Sequence, residues 1–553
     1  MKASLVVNMK LPDIQRITFT IFVSLVFFNA GCSHRQTLVE LGDQEQILHI
    51  GNGAEPQGLD PQVTTGVPES HILAALFEGL VAEDPKDLHP IPGVAESWDI
   101  SGDLKIYTFH LRHNAKWSNG DSVTAHDFVK SYKRMLSPNF AAMYSGMLFV
   151  VKNAEAYYNK KVSDFNEVGF KALDDFTLQI TLDNPTPYFL SLLNHHSWFP
   201  VHIPTVEKYG KMDDQGNNRW TRLGNFVGNG PFILKEWKIN QVIAVEKNQT
   251  YWDHDKVRLH EIHFHPIESL DTEERSFRSG QLHKTNKIPP TKISVYTKEH
   301  PEFLRIDPYL TVYFYRFNVR KPVLENKKVR QALAMAIDRK SIVENITLGG
   351  ERPAYCLTPP NTAGYTCKAQ VPTDFEAAKK LLAEAGYPDG KGFPSIEIVF
   401  NTVELHKTIA EAIQQMWKKH LHIDVQLVNQ EWKVYQDTLK QMNYQIARSG
   451  WVGDYVDPKT FLDMFITDGG NNRTGWSKLE YDRLLTETDQ TGDPQKRFEL
   501  FQKAEAILLD EAPIIPIYFN TQAYLIQPSV KGWYPTILDS HPYKHVYLES
   551  TGK

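Results

Sequence analysis

Asn429 to Phe461, NQEWKVYQDTLKQMNYQIARSGWVGDYVDPKTF, is the stretch on which the fold turns. Glu431 to Gln441 reads as a helix, and it leads into a strand, Tyr444 to Ser449, on which Tyr444, Ile446 and Arg448 alternate to one side. Gly450, Trp451, Asp454 and Tyr455 then occupy the strand's carboxyl end, where open α/β sheets place their ligands. Asp454 is an uncompensated carboxylate in an aromatic loop, suited to capturing a small cationic group. The competing reading is a loop aspartate that caps a turn with an aromatic packed beneath it.

Outward from this stretch the elements keep alternating. Ile396 to Phe400 is strand-like, Ile409, Ile413, Met416 and Trp417 recur at helical spacing, and Ile423, Val425 and Leu427 alternate again. Strand, helix, strand in succession predicts an α/β fold with a largely parallel sheet, right-handed crossovers and a cleft at the sheet's carboxyl edge. Helices are expected from Val329 to Leu333 onward and over Glu376 to Ala385, the latter ended by Gly386. Turn residues suggest boundaries near Gly210 to Gly216, near Asp307-Pro308 and near Asn520.

With 553 residues the chain exceeds one core and allows roughly two to four domains. Charged residues make up 23% and the formal charge is -6 without basic blocks, which argues against nucleic acid as a partner. The N-terminus carries Lys2, Lys10 and Arg16, an apolar run from Ile17 to Phe28, then Asn29-Ala30-Gly31-Cys32. That order is an export signal, and its apolar run is too short for a span of roughly twenty residues. It resembles a bacterial lipoprotein signal, with Asn29 where such signals usually carry Leu. The resemblance implies cleavage before Cys32 and lipidation of its thiol. The protein is therefore expected to be exported to the periplasm or cell envelope and held to a membrane by a lipid anchor.

The two other cysteines, Cys356 and Cys367, bracket the loop CLTPPNTAGYTC, and in an oxidising compartment a disulfide closing it is expected. Zinc is disfavoured there, because no second cysteine pair supplies ligands. No HExxH, GxSxG or GxxxxGK[ST] motif occurs, so neither an enzyme nor a cofactor is expected. His260, His263 and His265 form a tempting metal cluster, but on a strand His263 and His265 share a face that His260 opposes. His195 and His196, beside Trp198 and Phe199, read as a packed aromatic patch.

Several further stretches belong together: GLDPQVTTGVPES at 58 to 70, FEGLV at 77 to 81, PGVAESWDISGDLKIYTFHLRHNAKWSNGDSVTAHDFV at 92 to 129, and GNGPFILKEW at 228 to 237. With VRQALAMAIDR, EAAKKLLAEAGY, NTVELHK, LVNQEWKVYQDT and ARSGWVGDYVDP they cover nearly all of the chain after the signal, in order. They closely resemble the family 5 solute-binding proteins of bacterial peptide ABC importers, in particular the oligopeptide-binding members. The resemblance implies a periplasmic binding-protein fold of type II, three-lobed (cluster C), with two main lobes closing on ligand by a hinge. It implies a signal peptide at 1 to 32, lobe I from 45 to 77, 205 to 310 and 522 to 553, lobe II from 78 to 204, and lobe III from 311 to 521.

On this resemblance Asp454 grips a peptide's α-ammonium group. The peptide backbone pairs as an added strand with Thr65, Gly66 and Val67 on one side and Gly450, Trp451 and Val452 on the other. Arg448 and His406 fall where the family neutralises the peptide carboxylate, and Trp432 and Tyr144 where aromatics line side-chain cavities. Thr65, Arg316, Leu439, Thr347 and Asn520 stand where the best-known oligopeptide binder has Glu, Glu, Arg, Lys and Tyr. Two acidic groups are thereby lost and Arg316 gained, which disfavours Lys-rich peptides and favours acidic ones. Thr311 and Val452 replace both cysteines of a family disulfide. The partners so implied are short peptides, an inner-membrane ABC permease and a membrane, for a monomeric protein. The competing readings are a specialised binder of cell-wall peptide, glutathione or peptide-haem, a secreted peptide-processing enzyme, and a surface sensor or adhesion protein.

Overall fold

Three sheets carry the architecture of the computed structural model, which describes residues 36–215 and 219–549. The expected signal segment, with Cys32, lies outside the described residues, as does part of the boundary expected at Gly210 to Gly216. Among the described residues no helix is long and apolar enough to cross a membrane.

The first sheet orders Ile47–Gly51, Glu261–His265, Val242–Lys247 and Phe232–Lys238, its first pair parallel. The second joins Ala95–Ile100, Ile106–Leu111, Thr177–Thr181 and Phe170–Asp174, all antiparallel. Ile106–Leu111 buries alternate residues, as a strand with one wet face must. Both sheets share one hydrophobic core.

The third sheet has six strands in the order Arg352–Pro353, Ile514–Leu525, Leu304–Phe317, Ile446–Val452, Ile396–Asn401 and Val425–Gln430, packed on a second core. Only its last three strands are parallel to one another. Leu304–Phe317 runs antiparallel to both neighbours, so the largely parallel sheet expected from the sequence is a mixed one. Local periodicity shows the parallel units around 396 to 452, but not the long strands that enter from distant parts of the chain. From Leu310 to Phe317 every residue is buried, the run expected of a central strand covered on both faces.

The helix Glu404–Leu421 lays Ile409, Ile413, Trp417 and Leu421 against this sheet, while Met416 is only partly buried. Each fully buried apolar side chain contributes up to about 1.5–3 kcal/mol. The helix Phe375–Glu384 ends before Gly386, whose φ of +98° only glycine adopts without strain.

Asp307-Pro308 and Asn520, expected at boundaries, lie inside the two longest strands, Leu304–Phe317 and Ile514–Leu525. Their ladder changes register between Pro308 and Val312, where proline cannot donate to it.

Candidate functional site

The strand Ile446–Val452 begins two residues later and ends three residues later than expected, so Gly450, Trp451 and Val452 belong to it. Tyr444 precedes the strand and packs with Ala447, Tyr435 and Val399 rather than with Ile446, which faces the larger core. One edge pairs throughout with Thr311–Phe317. The other meets Ile396–Asn401 only at Ile446 and Ala447, leaving the edge from Arg448 to Val452 without a strand partner among the described residues. Thr311 and Val452, replacements for a family disulfide, are direct cross-strand partners.

Gly450 to Asp454 line a cavity of about 350 Å³ whose opposite wall includes Thr65, Gly66, Val67 and Tyr144. The 65 to 67 wall is anchored from below: Asp60 accepts two bonds from Arg134, at 3.2 and 2.6 Å, and Gln62 donates to the Ser131 carbonyl at 2.8 Å. Gly66 is extended, with φ -94° and ψ 150°, and caps the helix Val67–Leu76, so the chain passes the cavity as exposed backbone.

Asp454 stands at the end of the open edge. Its main-chain N–H donates to Thr460 Oγ1 at 3.0 Å, but its carboxylate meets no cation within 4.0 Å among the described residues. Burial alone pushes its pKa up to about 7. Its loop is nevertheless fixed. A Cβ on Gly453 would meet Leu310 Cδ2 at 2.6 Å, and Tyr455 stacks on Tyr188 at 4.7 Å. Asp457, three residues on, makes a buried two-pronged pair with Arg497 at 2.8 and 3.1 Å. Tyr144 packs edge-on to His195 at 4.6 Å; burial, and then the Asp454 charge, push its hydroxyl pKa up. The His195-His196 patch thus belongs to the cavity wall.

The cations gather nearer the strand's start. The Arg448 guanidinium lies 4.8 Å from the Tyr313 ring, and the Tyr313 hydroxyl is 3.3 Å from His406 Nδ1. Burial, then the Arg448 and Lys287 charges, push His406 down to about 2, so without a ligand its imidazole is neutral. Lys287, solvent-exposed but close enough to act on both groups, was not singled out from sequence. It follows the strip 283 to 285, which bridges Ile50 and Ile526, and no periodicity marks that strip.

Arg316 is buried and donates to Ser449 Oγ at 3.2 and 2.6 Å. Thr347 is buried and donates to Glu351 at 2.9 Å. Leu439 joins the small core under Tyr435. Asn520 is half-buried in Ile514–Leu525, away from the lining of the cavity. Trp432 opens the helix Trp432–Lys440, and its side chain lies outside the described part. The cavity also takes in Lys284, Asp539 and His541, which sequence reasoning missed; Asp539 is already engaged by His541 at 3.0 Å and Gln522 at 3.0 Å.

His263 and His265 share a face, joined there by His49 from the neighbouring strand, its Nδ1 3.2 Å from His265 Nε2. Cys356 and Cys367 come together as buried free thiols, so the disulfide expected there is not formed in this structure. Their sulfurs and a Glu505 oxygen lie within 4.8 Å of one another. The Glu505 oxygens already accept from the Leu357 and Thr358 amides at 2.9 and 2.8 Å and from the Tyr365 hydroxyl at 2.9 Å, the pattern of a structural carboxylate.

Known proteins resemble this chain in sequence and in fold. The periplasmic oligopeptide-binding protein OppA of Salmonella typhimurium is 39% identical over 524 residues, 93% of each chain, and OppA of Bacillus subtilis is 38% identical over 88% of this chain and 89% of that one. Haemophilus influenzae OppA, solved in complex with the peptide RPPGFSPFR, superposes with a TM-score of 0.79 at 36% identity, covering 91% of this chain and 99% of that one. The Escherichia coli murein tripeptide binding protein MppA gives 0.81 at 36% identity, over 91% and 98%. The profile described as "Bacterial extracellular solute-binding proteins, family 5 Middle" matches residues 89–473, and with these relatives it shows that the chain belongs to the family 5 bacterial extracellular solute-binding proteins, with their periplasmic binding-protein fold.

Proposed function

We propose that this protein is the exported binding component of a peptide ABC importer, which captures short oligopeptides and delivers them to an inner-membrane permease without covalent chemistry of its own. The observation that carries this is the open strand edge from Arg448 to Val452, ending at the unpaired Asp454 carboxylate. An extended peptide completes that edge with main-chain hydrogen bonds, which bind any sequence alike. Its ammonium group supplies the charge that Asp454 lacks, and its carboxylate meets Arg448, Lys287 and the His406 ring. The Haemophilus influenzae relative solved with a nine-residue peptide, RPPGFSPFR, supports the same ligand class here.

The register change between Pro308 and Val312, opposite Asn520, is the hinge on which lobe III, residues 311 to 521, closes toward lobes I and II. Cys32 carries the lipid that holds a monomer at the membrane, near its permease.

Calorimetric titration of refolded protein with pooled short peptides of roughly three to five residues tests this, each pool in free and N-acetylated form. Free peptides are expected to bind and acetylated ones to bind far more weakly. Turnover of the peptides, or silence from both pools, overturns the proposal.

A further inference from the structure

Behind the open edge lies a second, smaller pocket of about 190 Å³, which shares Gly450 and Trp451 with the main cavity. Three guanidiniums, those of Arg316, Arg448 and Arg473, line it with no aspartate or glutamate among the lining residues. Arg316 spends two of its nitrogens on one serine hydroxyl and leaves Nη1 buried with no partner. Arg448 leaves Nε in the same condition. Among the described residues Arg473 donates only to the neutral Gln436 oxygen, at 3.2 Å. Burial first, then the Arg316 charge, pushes the Arg473 pKa down, the direction expected of cations that lack an anion. Elsewhere in this fold buried arginines are satisfied: Arg134 by Asp60, Arg497 by Asp457, and Arg339 by three carbonyls.

Three like charges around one pocket repel one another and are costly without a counter-ion. The volume holds about six waters, or a carboxylate-tipped side chain with its hydration, and is too small for a whole ligand. The pocket opens at Gly450, where a Cβ would stand 3.6 Å from Arg448 Nη2, so the missing side chain leaves the guanidinium accessible from the strand edge.

We infer that Arg316, Arg448 and Arg473 form a carboxylate-selective subsite, which makes the protein favour peptides with an acidic side chain at the second or third residue. This rests on the peptide-binding reading above. Asp454 fixes the first residue just beyond Val452, where the open edge ends, and at about 3.3 Å per residue along an added strand the second or third comes level with Gly450, where the pocket opens. Guanidiniums suit the task because each offers a planar fork to two carboxylate oxygens.

The test compares pentapeptides that differ only as Glu against Gln at each position, titrated calorimetrically into the full-length protein. Their C-termini are amidated, so that the side chain supplies the only carboxylate. Glu at the second or third position is expected to bind at least about tenfold more tightly than Gln, the lower range for a close, desolvated charge pair. Arg473→Gln and Arg316→Gln should each shrink that ratio, while Arg473→Lys should keep most of it. Equal binding of the Glu and Gln peptides by the unaltered protein overturns the subsite and leaves the peptide receptor standing. A preference that survives both Gln variants also overturns it. If no peptide binds, with or without glutamate and with the C-terminus either amidated or free, the peptide-binding reading falls and the subsite with it.

Discussion

The two ends of the strand Ile446–Val452 carry opposite charge problems. Beyond its carboxyl end Asp454 is a buried carboxyl group with no cation beside it among the described residues, and burial alone lifts its pKa to about 7. Near its start Arg448, with Arg316 and Arg473, forms a group of cations with no anion among the residues that line their pocket. Asp457, in the same loop as Asp454, shows the ordinary solution, a buried carboxylate closed on Arg497 at 2.8 Å. The contrast teaches that this scaffold can satisfy its buried charges and leaves unsatisfied those that face the cleft. A dipolar, extended ligand with an ammonium at one end and carboxylates further along supplies both missing partners.

The strongest way to break the comparison is Asp454→Ala. Peptide affinity is expected to fall by about 3–5 kcal/mol, roughly a hundredfold to a few thousandfold, the cost of leaving a buried ammonium without its anion. Unchanged affinity by calorimetry would remove Asp454 from the site. The counterpart is Asp457→Ala, which strands the Arg497 guanidinium in the core and should lower the free energy of unfolding by a comparable 3–5 kcal/mol, roughly. Denaturant titration measures it. If Asp457→Ala instead left stability intact and abolished binding, the two aspartates would have been assigned the wrong way round.

A smaller effect sharpens the same point. Because the peptide-free carboxylate titrates near 7, a proton must leave Asp454 before an ammonium is held. Affinity should therefore rise about fivefold from pH 6 to pH 7 and fall again above about pH 8, where the peptide's own α-ammonium loses its proton. Stability of the peptide-free protein runs the other way. The folded pKa is raised, so the ionised group opposes folding above its unfolded value of 3.8 and stops doing so below it. An affinity that is flat from pH 6 to pH 7 would mean that Asp454 is already ionised at an ordinary carboxylate pKa.

Much of this was legible in the chain. Periodicity located Ile396–Asn401 and Trp432–Lys440 to within one residue at each end and marked the middle of Glu404–Leu421, because one face of each is apolar at the period its geometry demands. Asp454 was legible as a lone carboxylate in an aromatic loop, and family-like motifs named most of its companions. The strand register of Tyr444 was misplaced, since an aromatic just before a strand fits the alternation as well as one inside it. Lys287 and Arg473 carried no signal, since a lone basic side chain outside any periodic element is most often a solvated cation.

The sequence by itself determined the α/β class and the family and singled out Asp454 as a candidate, because these depend on local pattern and on residue type. Only the tertiary structure decided that the edge from Arg448 to Val452 is open, since that depends on where the neighbouring strand, Ile396–Asn401, ceases to pair. It alone brought Arg316, Arg448 and Arg473, from three separate segments, to one pocket. Charge balance is a property of neighbours in space, and three-dimensional packing chooses those neighbours.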